Sequence, residues 1–109
     1  MRYVFKIGDA DSSAIITDIN IDVSAKAEWL MDTYGNQILR YAYSFMKNME
    51  DAEDILQETI IMYLRKAPVF ERSEHAKAWL LTVAGNNARN KLKYNSYRQH
   101  DELNEELTG

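Results

Sequence analysis

The strongest constraint on the fold is the pattern of residues 48–68, which predicts one amphipathic helix with defined ends. Asn48 is a suitable N-cap because its side chain can accept a hydrogen bond from the first helical turn. Acidic residues favour the positive end of the helix dipole, and four of them follow: Glu50, Asp51, Glu53 and Asp54. Pro68 ends the segment, since proline lacks an amide hydrogen and restricts the residue before it. At about 100° per residue, one apolar stripe that is predicted to face the core comprises Ala52, Ile55, Leu56, Ile60, Tyr63 and Ala67.

The opposite face of this helix has a mixed character. Ile61 lies at its centre and Leu64 at its edge, and the surrounding polar residues are Asp54, Gln57, Glu58 and Arg65. Single exposed apolar residues are common on soluble proteins, so a solvated face with one isolated isoleucine is one interpretation. The other is a partner-binding surface with an apolar centre and a polar rim. The periodicity alone leaves both interpretations open.

Two further segments have helical periodicity, so the chain is predicted to be an all-α domain, a small bundle of three main helices. The first helix is expected to begin near Ser24, as N-cap, and to end near Lys47 or Asn48. Its predicted core stripe is Ala27, Leu30, Tyr34, Ile38, Tyr41 and Phe45, and a second apolar stripe is Leu39, Tyr43 and Met46. The third helix is expected to begin at Ser73, as N-cap, and to fray beyond Tyr94. Its polar stripe, with Trp79 at the border, is Thr82, Asn86, Arg89, Asn90 and Lys93.

The two ends of the chain are less regular. Residues 2–7 and 14–19 are rich in β-branched and aromatic residues and flank a turn-like segment. Residues 1–23 are therefore predicted to form either a short hairpin or a loosely ordered leader of unknown role. Residues 24–98 form the predicted helical domain, and residues 99–109 are predicted to be an acidic linker or tail.

The composition excludes several kinds of site. The chain has no cysteine, which rules out disulfides, thiolate metal sites and cysteine catalysis. No apolar run has the length of a membrane span, and no signal peptide is predicted. The formal net charge is −4, yet residues 61–100 contain eight basic residues and only two acidic ones. This asymmetry favours a polyanion-binding surface, although a solvated basic helix has the same charge count.

Three blocks of sequence resemble region 2 of bacterial RNA polymerase sigma factors of the extracytoplasmic-function (ECF) group. Residues 34–42 look like the family's first helix. Residues 51–58, DAEDILQE, are similar to its acidic signature, and residues 78–86, AWLLTVAGN, match its tryptophan-containing signature. The resemblance covers approximately residues 26–98. It implies a cytoplasmic, non-enzymatic transcription-initiation module without a cofactor or metal, and an anti-sigma factor as a further partner.

The resemblance also implies two interaction surfaces. The second helix would bind the clamp helices of the largest RNA polymerase subunit through Asp54, Gln57, Glu58, Ile61 and Arg65. The next loop and the third helix would recognise and melt the promoter −10 element, with a base flipped from the non-template strand into a pocket. Asn86 matches a family residue in that pocket. The DNA-binding residues implied in this way are Phe70, Arg72, Ser73, Trp79, Asn86, Arg89, Asn90 and Lys93.

The chain departs from the family pattern at several positions. Thr82 and Gly85 stand where members often carry basic residues, and Asn90 stands where an aspartate is common. ECF factors read the −35 element with a C-terminal domain that is not recognisable in this sequence. We therefore expect either a truncated or a shortened factor.

Two other functions are compatible with parts of the sequence. A metal-dependent hydrolase would use Glu53, Asp54, Glu58 and His75, but the helix N-terminus and the partner surface already account for the carboxylates. A sigma-like protein-interaction module would bind polymerase or an anti-sigma factor without opening DNA. Activity lost with chelators would favour the hydrolase. Polymerase binding that is indifferent to Asn86→Ala and Lys93→Ala would favour the interaction module.

Overall fold

The computed structural model describes the backbone of residues 14–108 and the side chains of residues 15–98. Over this part of the chain the regular secondary structure is entirely helical, so the predicted all-α class with three main helices is confirmed. A short helix α1 (Ala14–Thr17) precedes the long helices α2 (Val23–Met46), α3 (Met49–Lys66) and α4 (Ser73–Thr108). Each long helix packs against the other two, and α1 packs against α2 and α4.

The hairpin, one of the two alternatives for residues 1–23, is wrong over the residues that the structure describes. Its first strand, residues 2–7, lies outside the described residues, but Ala14–Thr17 of its second strand forms α1. A strand would direct Ile15 and Ile16 to opposite faces. The helical turn instead buries Ile16 completely and Ile15 partly against the core. Burial of both isoleucines against the bundle therefore outweighs the β-propensity of the segment.

Local capping interactions define the ends of α2 and the start of α3. The N-cap of α2 is Asp22 rather than the predicted Ser24, because the Asp22 carboxylate accepts a hydrogen bond from the Ser24 amide at 3.2 Å. At the other end Lys47 adopts a left-handed conformation (φ 63°), and its amide donates to the Tyr43 carbonyl at 2.8 Å. The predicted N-cap Asn48 is confirmed, since its side-chain oxygen accepts from the Asp51 amide at 2.8 Å.

Helix α3 ends in the same way as α2. Ala67 is left-handed (φ 42°) and its amide donates to the Tyr63 carbonyl at 2.7 Å, directly before Pro68. Helix α4 has Ser73 as its first residue rather than as its N-cap, and it continues to Thr108 instead of fraying beyond Tyr94. Residues 86–108 contain neither glycine nor proline, so nothing in that stretch strongly opposes a helix.

The core lies where the three long helices meet. Leu30 and Ile38 of α2, Ile55 of α3 and Leu80 of α4 are almost fully inaccessible to solvent. Helix α4 directs four fully buried residues at four-residue spacing toward its neighbours, and three of the four are alanines that permit a close approach: Ala76, Leu80, Ala84 and Ala88.

The predicted core pattern needs correction at several positions. Ala67, which was expected on the core stripe of α3, is exposed, because it is the left-handed C-cap at the end of that helix. Tyr41 and Tyr43, which were expected on the apolar stripes of α2, are exposed, because a tyrosine can pack one ring edge and keep its hydroxyl in water. The ring of Tyr41 packs edge-on against Phe45 at 5.1 Å. Thr59 was not predicted to be buried. It lies in the core because its hydroxyl donates to the Ile55 carbonyl at 2.7 Å within the helix.

Candidate functional site

The outward face of α3 carries an exposed ridge. Its central residue Ile61 is 48% exposed, and Leu64 beside it is also exposed. Gln57, Glu58 and Arg65 are exposed around them. These residues recur at three- and four-residue intervals, so they share one side of the helix. The structure thus places four of the five predicted polymerase-binding residues on one solvent-facing ridge, with an apolar centre and a polar rim.

Asp54, the fifth predicted residue, is only partly exposed and links this ridge to α4. Its Oδ2 atom lies 3.6 Å from the Nζ atom of Lys91, and both side chains are partly exposed. Lys91 was counted among the basic residues of the sequence but was not predicted as a site residue. No sequence pattern pairs these two residues, because they are brought together only by the packing of α3 on α4.

An aromatic cluster holds the loop between α3 and α4. Phe70 in this loop is 7% exposed, and its ring centroid lies 6.4 Å from that of Tyr63 and 6.2 Å from that of Trp79. Tyr63 and Trp79 also contact edge to face, at 6.1 Å. Burial raises the pKa of the Tyr63 hydroxyl above its ordinary value. Phe70 therefore presents no free ring in this conformation, and its role as a DNA-binding residue stays a prediction.

A pocket of about 400 Å³ lies beside this cluster, between α3 and α4. It is lined by Met62, Lys66, Trp79, Val83, Asn86 and Asn87. Two predicted DNA-binding residues, Trp79 and Asn86, are therefore brought together here. The other lining residues were missed, although Asn87 adjoins the predicted stripe and Lys66 is one of the counted bases.

The chemistry of the pocket suits a planar, hydrogen-bonding ligand that itself carries a negative charge. Trp79 and Val83 supply an apolar wall, and the amides of Asn86 and Asn87 can both donate and accept hydrogen bonds. The ammonium group of Lys66 adds a cation at the edge. A nucleobase with its phosphate has this combination of properties.

On α4 the predicted polar stripe continues from the pocket along the exposed side of the helix. Asn86 accepts a hydrogen bond from Arg89 Nη2 at 3.0 Å, and the Arg89 guanidinium lies 5.7 Å from the centroid of the Phe45 ring. Asn90 and Lys93 are exposed further along the same side. Residues 75–100 contain no acidic residue, so this stripe carries positive charge only.

Arg72 and Ser73 lie at the start of α4, apart from the pocket-lining set. Arg72 Nε is 3.4 Å from Glu74 Oε1, and both side chains are well exposed. The pKa of Glu74 is lowered, mainly by a hydrogen bond from its own backbone amide and then by Arg72. The side chain of Ser73 is partly exposed. In this conformation Arg72 is therefore already paired with a carboxylate.

The chain has a second concavity of about 350 Å³, on α2 beside the turn into α3. Its lining residues are Leu39, Arg40, Tyr43, Ser44 and Met49. It contains none of the predicted site residues.

Other classes of site find no support in the described part of the chain. Among those residues, no group of three or more His, Cys, Asp or Glu side chains is arranged to hold a metal ion, so Glu53, Asp54, Glu58 and His75 do not form one. A search of the same residues for a helix long and apolar enough to cross a membrane found none.

Comparisons with known proteins find a family model and a relative that resemble this chain. Residues 30–98 match the family model Sigma-70 region 2. Over 55 residues the chain is 34% identical to the "ECF RNA polymerase sigma factor SigX" of Bacillus subtilis (strain 168). That alignment covers 50% of this chain but only 28% of the relative. No solved structure matches the chain significantly.

Proposed function

Because the chain belongs to the sigma-70 region 2 family, we propose that it serves in transcription initiation by binding the RNA polymerase clamp helices and by recognising and melting the promoter −10 element. The exposed ridge of α3 is the polymerase-binding surface in this proposal. The pocket between α3 and α4 and the basic side of α4 form the DNA-binding surface. This activity would take place in the cytoplasm and needs no cofactor.

The observation that carries the proposal is the pocket in which Trp79 and Asn86 meet. A base that leaves the DNA stack loses a few kcal/mol of stacking and pairing energy. An aromatic wall and amide groups can return part of that energy by packing and hydrogen bonding. Residues from α3 and from α4 both line this pocket, so it depends on the packed bundle.

The basic groups around the pocket are suited to hold the strand that carries the flipped base. Lys66 lines the pocket, and Arg89 is held beside Asn86 by their hydrogen bond. Lys93 lies seven residues beyond Asn86, which corresponds to about 10 Å along the helix. Phosphate contacts of this kind position the nucleic acid, while Asn86 supplies the base-specific donor and acceptor.

Phe70 has an indirect role in this proposal. Its ring is buried between Tyr63 and Trp79, so it sets the position of the Trp79 wall and of the loop. Direct stacking of Phe70 on a base would require the loop to leave the cluster.

On the polymerase side, the ridge combines Ile61 and Leu64 with acidic and amide groups. Carboxylates such as Glu58 and Asp54 suit a partner that presents arginine side chains, because charge-assisted hydrogen bonds are strong. Asp54 would then exchange its intramolecular partner Lys91 for a group on the polymerase.

The first test is binding to a clamp-helix fragment of the largest polymerase subunit. The wild-type chain should bind with a Kd in the micromolar range or tighter, about −8 kcal/mol, and Asp54→Ala/Gln57→Ala should abolish binding. Asp32→Ala is the matched control, since Asp32 is an exposed acidic residue on a different helix, α2. Equal loss in the control, or no binding by the wild type, would remove the support for this surface.

The second test separates DNA opening from polymerase binding. With core polymerase and a promoter duplex that carries a fluorescent base in the −10 element, Asn86→Ala should reduce opening and leave clamp binding unchanged. A sigma-like interaction module, whether its partner is polymerase or an anti-sigma factor, does not open DNA. It therefore predicts no opening signal with the wild-type chain, and no change in that signal or in polymerase binding with Asn86→Ala or Lys93→Ala.

A further inference from the structure

Two features of the chain have no part in the proposed function. One is the segment of residues 2–7, RYVFKI, which lies outside the described residues and outside the family match at residues 30–98. The other is the second concavity, the α2 groove, which lies beside the turn into α3 and is lined by Leu39, Arg40, Tyr43, Ser44 and Met49. The segment is complementary to this groove in its apolar pattern, its charge and its reach.

The α2 groove has an apolar surface that is open to solvent. Tyr43 is 43% exposed and Met49 is 49% exposed. Leu39 is partly buried and packs against the core, so it is a fixed part of the groove. Because burial of apolar surface is favourable, the groove favours an occupant that presents apolar side chains.

The segment of residues 2–7 has two different faces when it is extended. Successive side chains of an extended chain point to opposite sides, so alternate residues share a face. One face would carry the apolar residues Tyr3, Phe5 and Ile7, and the other would carry Arg2, Val4 and Lys6. The first face suits an apolar groove, and the second suits solvent or a polar rim.

The rim of the groove on the α3 side is acidic. Glu50 follows the lining residue Met49, and Glu53 lies one helical turn beyond Met49 on the same side of α3. Both acidic residues are exposed, and neither belongs to an ion pair among the described residues. The basic residues of the segment, Arg2 and Lys6, would therefore meet opposite charges at this rim.

The length of the connecting chain allows the segment to reach the groove of its own molecule. Residues 8–13 join the segment to α1 and can span at most about 25 Å. Helix α1 packs against α2, and the start of α2 lies about 24 Å from Leu39 along the helix axis. The linker also carries Asp9 and Asp11, which suit the side of α2 that presents Arg40.

We propose that residues 2–7 bind in the α2 groove of the same chain, with their apolar face against its apolar surface. Met49 of the groove, Glu53 of its rim and Gln57 of the exposed ridge follow one another at four-residue intervals, so the groove adjoins the ridge. The bound segment therefore hinders a partner's access to the ridge. The docking is independent of the proposed function, and only this hindrance of polymerase binding rests on it.

Methionine methyl NMR of the full chain tests the docking. The chain has no cysteine, so Gly8→Cys provides a single attachment site for a nitroxide label, which broadens the signals of nearby nuclei. Met49 lines the α2 groove, whereas Met62 lines the pocket between α3 and α4. The Met49 signal should lose most of its intensity and the Met62 signal should stay sharp. Equal Met49 intensities with oxidised and reduced label, or equal losses at both methionines, would overturn the docking.

Two variants of the labelled chain identify the contact. Tyr3→Ser/Phe5→Ser removes the apolar face and should restore the Met49 signal. Val4→Ser is the matched control, because Val4 belongs to the opposite face, and it should leave Met49 broadened. Equal effects of the two variants would overturn the assignment of the faces. Broadening of Met49 in an unlabelled chain that is mixed with labelled chain would show binding to a second copy, which would overturn docking within one molecule.

Binding to the clamp-helix fragment tests the hindrance separately. If the segment covers the ridge about nine-tenths of the time, Tyr3→Ser/Phe5→Ser should lower the Kd about tenfold, and Val4→Ser should not change it. An unchanged Kd with a broadened Met49 signal would overturn the hindrance and leave the docking. If neither the wild type nor the variants bind the fragment, the proposed polymerase-binding surface fails, and the Met49 signal still decides the docking.

Discussion

Replacing Phe70 by alanine should destabilise the domain strongly, whereas the same replacement at Val69 should have almost no effect. The two residues are neighbours in the loop between α3 and α4, yet Phe70 is 7% exposed and Val69 is 73% exposed. Phe70 packs against the rings of Tyr63 and Trp79. The pair therefore compares a buried anchor with an exposed residue on the same stretch of backbone.

The magnitude follows from burial and from the two ring contacts. Truncating a buried phenylalanine to alanine costs about 3–5 kcal/mol, because the lost transfer free energy is joined by that of the cavity. Aromatic pairs add about 0.5–1.5 kcal/mol beyond their buried area, but a loop can collapse partly into the space. We therefore expect a loss of about 3–4 kcal/mol for Phe70→Ala, and a change within about 0.5 kcal/mol for Val69→Ala.

Urea denaturation followed by circular dichroism measures both changes in the free energy of unfolding. A domain of this size has a total stability of about 5–15 kcal/mol, so Phe70→Ala leaves little margin. Phe70→Leu conserves most of the volume and should cost less than about 1.5 kcal/mol, which keeps a folded variant available. A loss below about 1 kcal/mol for Phe70→Ala, or one equal to that of Val69→Ala, would refute the packing argument and leave the ring free to stack on DNA.

Three further perturbations test other contacts of the bundle. A double-mutant cycle of Asp54→Ala and Lys91→Ala should give a coupling of about 0.2–1 kcal/mol that weakens with salt, as for other exposed pairs, and zero coupling at low salt would contradict the ion pair. Gly35→Ala should raise stability by about 0.5–1 kcal/mol, because a Cβ atom there meets nothing within 4 Å. Gly85→Ala should gain less, since its Cβ would lie 3.2 Å from the Tyr41 hydroxyl, and the reverse order in thermal unfolding would contradict this contact. Burial raises the pKa of the Tyr63 hydroxyl, so this group ionises more readily in the unfolded chain than in the folded one. The contribution of the neutral hydroxyl to stability is therefore present below the unfolded-state pKa of about 10 and is lost as the pH rises through the folded-state pKa. Tyr63→Phe should therefore flatten the alkaline fall in stability relative to the wild type, and identical pH profiles would show that the hydroxyl is not buried.

Much of the fold could be predicted because helix signals are local. Asn48, the acidic residues after it and Pro68 define α3 within the span of one segment, and the structure places its ends where those residues predict. The long apolar stripes likewise predict three packed helices. The prediction failed where local signals were weak, as at Ala14–Thr17, where burial of Ile16 decides for a helix over a strand.

The candidate site was predictable only in part. Spacing along single helices was enough to place Gln57, Glu58 and Ile61 on one face, and Asn86, Asn90 and Lys93 on another. It could not reveal that Asn86 shares a pocket with Met62 and Lys66, because those residues come from a different helix. Their assigned binding roles stay predictions until they are tested.

The sequence alone determined the presence of the three long helices, their polar faces and the resemblance to the family, since each depends on residues within a few turns of one another. Only the tertiary structure determined which residues of other elements those faces contact. It buries Phe70 against Tyr63 and Trp79, because a loop residue has no periodicity from which burial could be derived. It also pairs Asp54 with Lys91, because contact between residues distant along the chain is set by how the helices pack and not by the pattern on either one.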